Sequence, residues 1–120
     1  MIIYIAGAMS SKENTDRNPS QVVCDYIQNC HKMIATAREV MRKGHTPFVP
    51  ALDLLIGLVG GDLEEKDYRA MSLEFLARCD AMLVISGSWG VEQELKFPYG
   101  PKTVYYRIED IPVEPLVEGY

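Results

Sequence analysis

Basic charge is scarce in this chain. Its 120 residues hold 12 Lys and Arg against 17 Asp and Glu, a formal net charge of −5, so no basic stripe is available to displace the counterions of duplex nucleic acid. Duplex nucleic acid is thereby excluded as a partner, whereas a single nucleotide is not. Long apolar runs are missing as well, since none approaches the roughly 20 residues that span a bilayer, and the opening residues have neither a basic leader nor a cleavage site. No membrane partner is expected, and the expected compartment is the cytoplasm. Cysteine is limited to Cys24, Cys30 and Cys79, with no CxxC; Cys24 and Cys30 fall on different faces of a helical segment and Cys79 is remote from both. Neither zinc nor a disulfide is indicated, and all three read as small buried hydrophobes. His31 and His45 are the two histidines, and both read as structural. No set of side chains has metal-ligand spacing, so no metal and no cofactor is expected.

What is present is ordinary globular composition, 48% apolar and 24% charged, in a length that builds one domain around one core. Met1-Ile2-Ile3-Tyr4-Ile5-Ala6, stopped by Gly7, reads as a central strand covered on both faces. After a polar loop, Asn18-Pro19 reads as an N-cap followed by the first helical residue, and that helix runs to Lys43 with Gly44 ending it. Its inward stripe is expected to be Val23, Ile27, Cys30, Ile34, Ala37 and Met41. Thr46-Pro47-Phe48-Val49 is a second strand, and its proline argues for an edge. A short helix over Ala51–Leu58, a Gly60-Gly61-Asp62 turn and a helix over Glu64–Arg78 follow, the last with Tyr68, Met71, Phe75 and Leu76 inward. A strand Ala81–Ile85, a helix from about Val91 and a strand Thr103–Tyr106 complete the alternation. It predicts a three-layer α/β fold of the Rossmann/flavodoxin-like kind, an open, mostly parallel sheet of four or five strands with helices on both faces. Residues 1–120 form a single domain, with an acidic, proline-punctuated tail from about Ile108 that could reach a second subunit. The long helix also carries Val22, Tyr26 and Met33 beside its stripe; an apolar arc this wide predicts a homodimer or higher homo-oligomer.

The stretch with most chemistry is Ser88-Trp89-Gly90-Val91-Glu92-Gln93-Glu94, directly after the buried strand. A strand that ends in a Ser/Gly turn and opens a helix offers backbone N–H groups and a hydroxyl at the sheet's carboxyl end, where open α/β sheets bind ligands. Glu94 aims a carboxylate at the same place, and the positive end of its own helix is expected to keep it ionised. An acid beside an anion-binding turn suits a ligand with both a phosphate and a carbon that a carboxylate can attack, such as a phosphorylated sugar or a nucleotide. Each element also has a plainer role: Glu94 as a dipole and solubility residue, Tyr4 as a core aromatic, Ser10 and Ser11 as turn residues, and Trp89 as a surface aromatic instead of a base-stacking lid. Asp80 reads as the pin of a helix-to-strand corner. Arg69 and Asp53 are candidate ligand contacts for which solvent or salt-bridge roles compete.

Ile3-Tyr4-Ile5-Ala6-Gly7, the helix ending at Gly44 before Pro47 and Pro50, the Cys79-Asp80-Ala81-Met82-Leu83 junction and Ser88-x-Gly90-Val91-x-x-Glu94 together resemble the nucleoside 2-deoxyribosyltransferase superfamily. The likeness spans residues 2–106 and is nearest to its small nucleotide N-hydrolase branch and small phage and bacterial members, which carry Ser where the transferases carry Asp. It implies Glu94 as nucleophile and Tyr4 as the residue that orients its carboxylate. It implies Ser88, Gly90 and the loop of Gly7, Ala8, Met9 and Ser10 around a 5′-phosphate or 5′-hydroxyl, with Trp89, Asp53 and Ser72 lining the substrate. One departure stands out: eight residues before Asp80 the family carries an Asp that handles the departing base, and this chain has Ser72. The expected activity is cleavage or transfer at the N-glycosidic bond of a nucleoside or its monophosphate, base departure being helped by water, Asp53 or Glu74. The alternative is a nucleotide-binding sensor or sequestering module without chemistry.

Overall fold

The computed structural model describes residues 1–8, 18–50 and 64–114. Four strands form one parallel sheet in the order β2-β1-β3-β4, with β1 at Ile2–Ala6, β2 at Thr46–Phe48, β3 at Ala81–Val84 and β4 at Thr103–Tyr105. Ile2 of β1 stands opposite Thr46, Ile3 opposite Ala81, and Ala81 in turn opposite Thr103. Among the described residues this is the order of the first four strands of a flavodoxin-like sheet. β1 is central, as its unbroken apolar run requires, and Pro47 sits on the edge strand, where its missing N–H costs no ladder bond.

Among the described residues three helices flank the sheet: α1 at Pro19–Arg42, α2 at Glu65–Ala77 and α3 at Trp89–Lys96. The chain moves outward from β1 to β2 and then reverses across the sheet to β3 and β4. Right-handed crossovers therefore put the first helix on one face and the later ones on the other. Strand alternation sends Ile3, Ile5, Ala81 and Leu83 into a core with α1, and Tyr4, Ala6, Met82 and Val84 into a second core with Leu76 of α2 and Val91 of α3.

α1 starts where Asn18 and Pro19 predict, with a capping box in which the Asn18 side chain accepts from the Gln21 N–H at 2.9 Å and the Gln21 side chain accepts from the Asn18 N–H at 2.9 Å. Its inward stripe differs from the expected one. Cys30, Met33, Ala37 and Val40 are buried with Tyr26 partly so, whereas Val23, Ile27, Ile34 and Met41 lie 44–59% exposed. The helix carries two overlapping apolar seams that share Cys30 and Ala37, and sequence periodicity fits both. The exit selects between them: Gly44, in the left-handed region at φ 88°, passes the chain at once into β2, whose register with β1 fixes the rotation of the helix.

Other departures are smaller. Cys24 is exposed instead of buried. α3 opens at Trp89, two residues before the expected start. Phe75 is 44% exposed at the rim of α2, stacked on Phe48 at 4.3 Å, while Leu73 and Leu76 pack inward. The tail begins with a 3-10 turn at Ile108–Asp110 and continues over its own chain: Ile111 is buried, Lys43 Nζ donates to its carbonyl at 2.8 Å, and Glu114 N donates to Lys43 O at 2.7 Å. His45 is buried and structural, with Nδ1 3.0 Å from the Met1 nitrogen and Nε2 2.6 Å from the Pro112 carbonyl. A carbonyl only accepts, so the ring proton sits on Nε2. The expected helix over 51–58, the turn at 60–62 and the tail beyond residue 114 lie outside the described residues.

Candidate active site

The sheet's switch point falls between β1 and β3, the two strands from which the chain leaves in opposite directions, and their carboxyl ends are tied together. Ala8 N donates to Ser86 Oγ at 2.7 Å, and Ile85 N to Ala6 O at 2.9 Å. The approach is so close that a Cβ on Gly7 would stand 2.8 Å from Ile85 Cγ1 and 3.1 Å from Ser86 Oγ, which is why glycine occupies the end of β1. At the other end of the strands Asp80 Oδ2 accepts from Ile2 N at 2.7 Å while Asp80 N donates to Ile2 O at 2.8 Å, so Asp80 does pin the corner between α2 and β3.

Ser88 caps α3: its backbone is extended, and its Oγ accepts from the Val91 N–H at 3.2 Å. Acting as acceptor there, the hydroxyl keeps its own proton to donate outward. Ser88 Oγ and both terminal nitrogens of Arg69 stand 3.8–4.0 Å from the point a Cβ on Gly90 would occupy, so a hydroxyl and a guanidinium converge over the bare face of that glycine. The Arg69 guanidinium lies over the Trp89 ring at 4.8 Å from its centre, a cation–π contact. Trp89 is 65% exposed, with Arg69 on its ring.

Glu94 lies one turn beyond Gly90 on the same face of α3 and is half-buried. Its side chain is hydrogen-bonded to Tyr4, the fully buried tyrosine at the middle of β1. Alternation along β1 turns Tyr4 toward α3, and its ring rests against Phe48 at 5.5 Å. Burial pushes the Glu94 carboxyl above the ordinary carboxylate range, while the Tyr4 hydrogen bond and the Arg69 charge pull it part of the way back. The expected help from the helix's positive end is absent. Glu94 is the sixth of eight helical residues, so it lies toward the negative end, and Tyr4 and Arg69 supply the support instead.

Tyr4, Ser88, Trp89, Gly90 and Glu94 thus come together at one end of the sheet, with Gly7 and Ala8 at the adjoining strand end. Ser72 is half-buried on α2, one turn after Arg69. Glu74 is not available to a departing base, because it is exposed and pairs with Arg78 at 3.7 Å. Met9, Ser10, Ser11 and Asp53 lie outside the described residues. Sequence reasoning missed Ser86, which ties β1 to β3, and undervalued Arg69; the signal for the latter was its place three residues before Ser72, on the same helix face. Among the described residues no group of His, Cys, Asp and Glu is arranged to hold a metal ion, and no helix is long and apolar enough to cross a membrane.

An open groove of about 290 Å³ lies on the other face of the sheet, between α1 and the ends of β3 and β4, bordered by Thr36, Glu39, Ile85, Arg107 and Glu109. Its charges are already matched, Glu39 with Arg42 and Arg107 with Glu109, and it contains none of the groups around Glu94. The chain matches no protein-family model, no curated protein and no solved structure.

Proposed function

We propose that this chain cleaves or transfers at the N-glycosidic bond of a nucleoside, a deoxynucleoside or a 5′-monophosphate of either, with Glu94 as nucleophile and Tyr4 orienting its carboxylate. The observation that carries this reading is the state of Glu94: a half-buried carboxylate at the carboxyl end of a parallel sheet, held by a buried tyrosine and opposed by an arginine. Rupture of an N-glycosidic bond develops positive charge at C1′, which an adjacent carboxylate stabilises and can trap as a glycosyl ester. Ser88, Gly90 and the segment through Gly7, Ala8, Met9 and Ser10 hold the 5′ end of the substrate, so that binding energy remote from C1′ fixes that carbon over Glu94. Water or a second base then resolves the ester. On this reading the chain is a nucleoside 2-deoxyribosyltransferase-like N-glycosidase of nucleotide metabolism, cytoplasmic and homo-oligomeric.

Ser72 favours a second reading, in which the same pocket binds a nucleotide as a sensor or sequestering module, because it stands where the family that the chain resembles carries the acid that handles the departing base. The two separate in one experiment. Wild-type protein incubated with a panel of nucleosides and monophosphates is expected to release free base, and Glu94→Ala to release none while remaining folded. Binding without release by the wild type would establish the sensor instead.

A further inference from the structure

Retaining cleavage uses two groups, a nucleophile and a second group about 5–5.5 Å from it that handles the charge developing on the leaving group. Where both are carboxyls, the second delivers a proton. Here α2 presents Arg69 and, one turn on, Ser72, both half-buried. Neither protonates a departing base: a guanidinium keeps its protons at any working pH, and a serine hydroxyl is far too weak an acid. Glu92 is exposed, Glu74 is exposed and paired with Arg78, and among the described residues Arg69 is the charged side chain that acts on Glu94.

Arg69 is also held in place. Trp89 supports one face of its guanidinium at 4.8 Å, and its terminal nitrogens reach within 3.9 and 4.0 Å of the absent Gly90 Cβ, over the helix face that Glu94 shares. Glycine at position 90 leaves that face of α3 clear beside the guanidinium. Fixed positive charge beside a nucleophile, with no proton to give, suits a leaving group that departs as an anion.

Resting on the glycosidic chemistry proposed above, we propose that Arg69 is a catalytic residue that stabilises the departing heterocycle as an anion. The substrates are then N-glycosides of bases acidic at the glycosidic nitrogen, uracil- or thymine-like, in preference to cytosine, whose glycosidic nitrogen is far less acidic. In the first step a Glu94 oxygen bonds to C1′ and the C1′–N bond breaks, its electron pair staying on the base nitrogen against the guanidinium. In the second, water adds at C1′ and frees Glu94; one water proton ends on the base and its hydroxyl on the sugar.

The test follows base release from 2′-deoxyuridine, thymidine and 2′-deoxycytidine, each as nucleoside and 5′-monophosphate. It also follows nitrophenolate release from 4-nitrophenyl 2-deoxyriboside, a leaving group that needs no assistance. Uracil and thymine are expected to leave at least about 10-fold faster than cytosine, and Arg69→Gln, which also withdraws support from Glu94, to slow them at least about 10-fold more than it slows nitrophenolate release. Arg69→Lys, which keeps the charge, should recover most of the loss. Release of cytosine as fast as uracil, or equal slowing of nitrophenolate by Arg69→Gln, overturns this assignment and leaves the glycosidase reading standing. Failure of folded wild-type protein to release even nitrophenolate removes both.

Discussion

Burial pushes the Glu94 carboxyl up, and the Tyr4 hydroxyl and Arg69 charge do not cancel the rise, so the folded protein ionises this group at a higher pH than the unfolded chain does. Below the ordinary carboxylate range the group is protonated in both states and costs nothing. As pH climbs from that range through the raised folded value, the unfolded state ionises first and stability is lost. Glu94→Gln should therefore melt at a higher temperature than wild type at pH 7, with the difference closing in acid; a variant equally or less stable at pH 7 would show that the charge is not strained. The same variant should be inactive, since an amide cannot trap C1′. Ser88 acts as a cap and a proposed phosphate ligand at once, and two substitutions separate these roles. Ser88→Ala should lose about 1 kcal/mol of stability with its cap and should weaken monophosphates more than nucleosides. Ser88→Asp should keep the cap yet repel the phosphate, so equal affinity for monophosphates in this variant, measured by calorimetry, would leave Ser88 a cap alone. Tyr4 entered through the family resemblance alone, whereas Ser88, Gly90 and Glu94 were legible in the sequence because a turn and the helix it opens state their geometry locally. Ser86 and Arg69 were not, since each acts on a residue brought near by strand pairing or helix packing.

At the scale of elements, both ends of α1 were written in its residues, and its rotation was not. Asn18, Pro19 and Gln21 specify the start and Gly44 the stop by local hydrogen bonding and backbone conformation. Which seam faces the sheet depends on how the helix is delivered into β2, a constraint that periodicity does not contain. Gly44 is the hinge of that delivery. An alanine there would suffer the left-handed conformation, about 1–2 kcal/mol, and would also drive its Cβ into the Glu114 carbonyl. Gly44→Ala is therefore expected to lower the melting temperature by several degrees and to detach the segment through Glu114, seen as faster amide exchange at Glu114, whose N–H bonds to Lys43. Unchanged exchange at that amide would show that the tail is held elsewhere.

For the molecule as a whole, the α/β class and strand count were legible because alternating apolar runs and amphipathic stretches leave few topologies once right-handed crossovers are imposed. Assembly was read from the width of the apolar arc on α1. Of the residues that arc rested on, Met33 is buried and Tyr26 half-buried against the sheet, while Val22 stays exposed together with Val23, Ile27, Ile34 and Met41. Ile27→Glu with Ile34→Glu should convert a dimer to a monomer in light scattering at micromolar concentration without lowering the melting temperature of the monomer; a wild-type monomer would remove the assembly. The central position of β1 has a further consequence, for the order in which the protein is made. One edge of β1 can close as soon as Phe48 has emerged, but the other waits for Ala81–Val84, a delay of roughly 2–7 s at about 5–20 residues per second. Throughout that interval the nascent chain carries Ile2–Ala6 with one side of its ladder bare, the kind of edge that recruits foreign strands. A chain stopped at Asp80 should accordingly accumulate in the insoluble fraction and one stopped at Glu114 should not. The ribosome, by slowing or hurrying over the codons between these two strands, sets how long a cell must shield the first one.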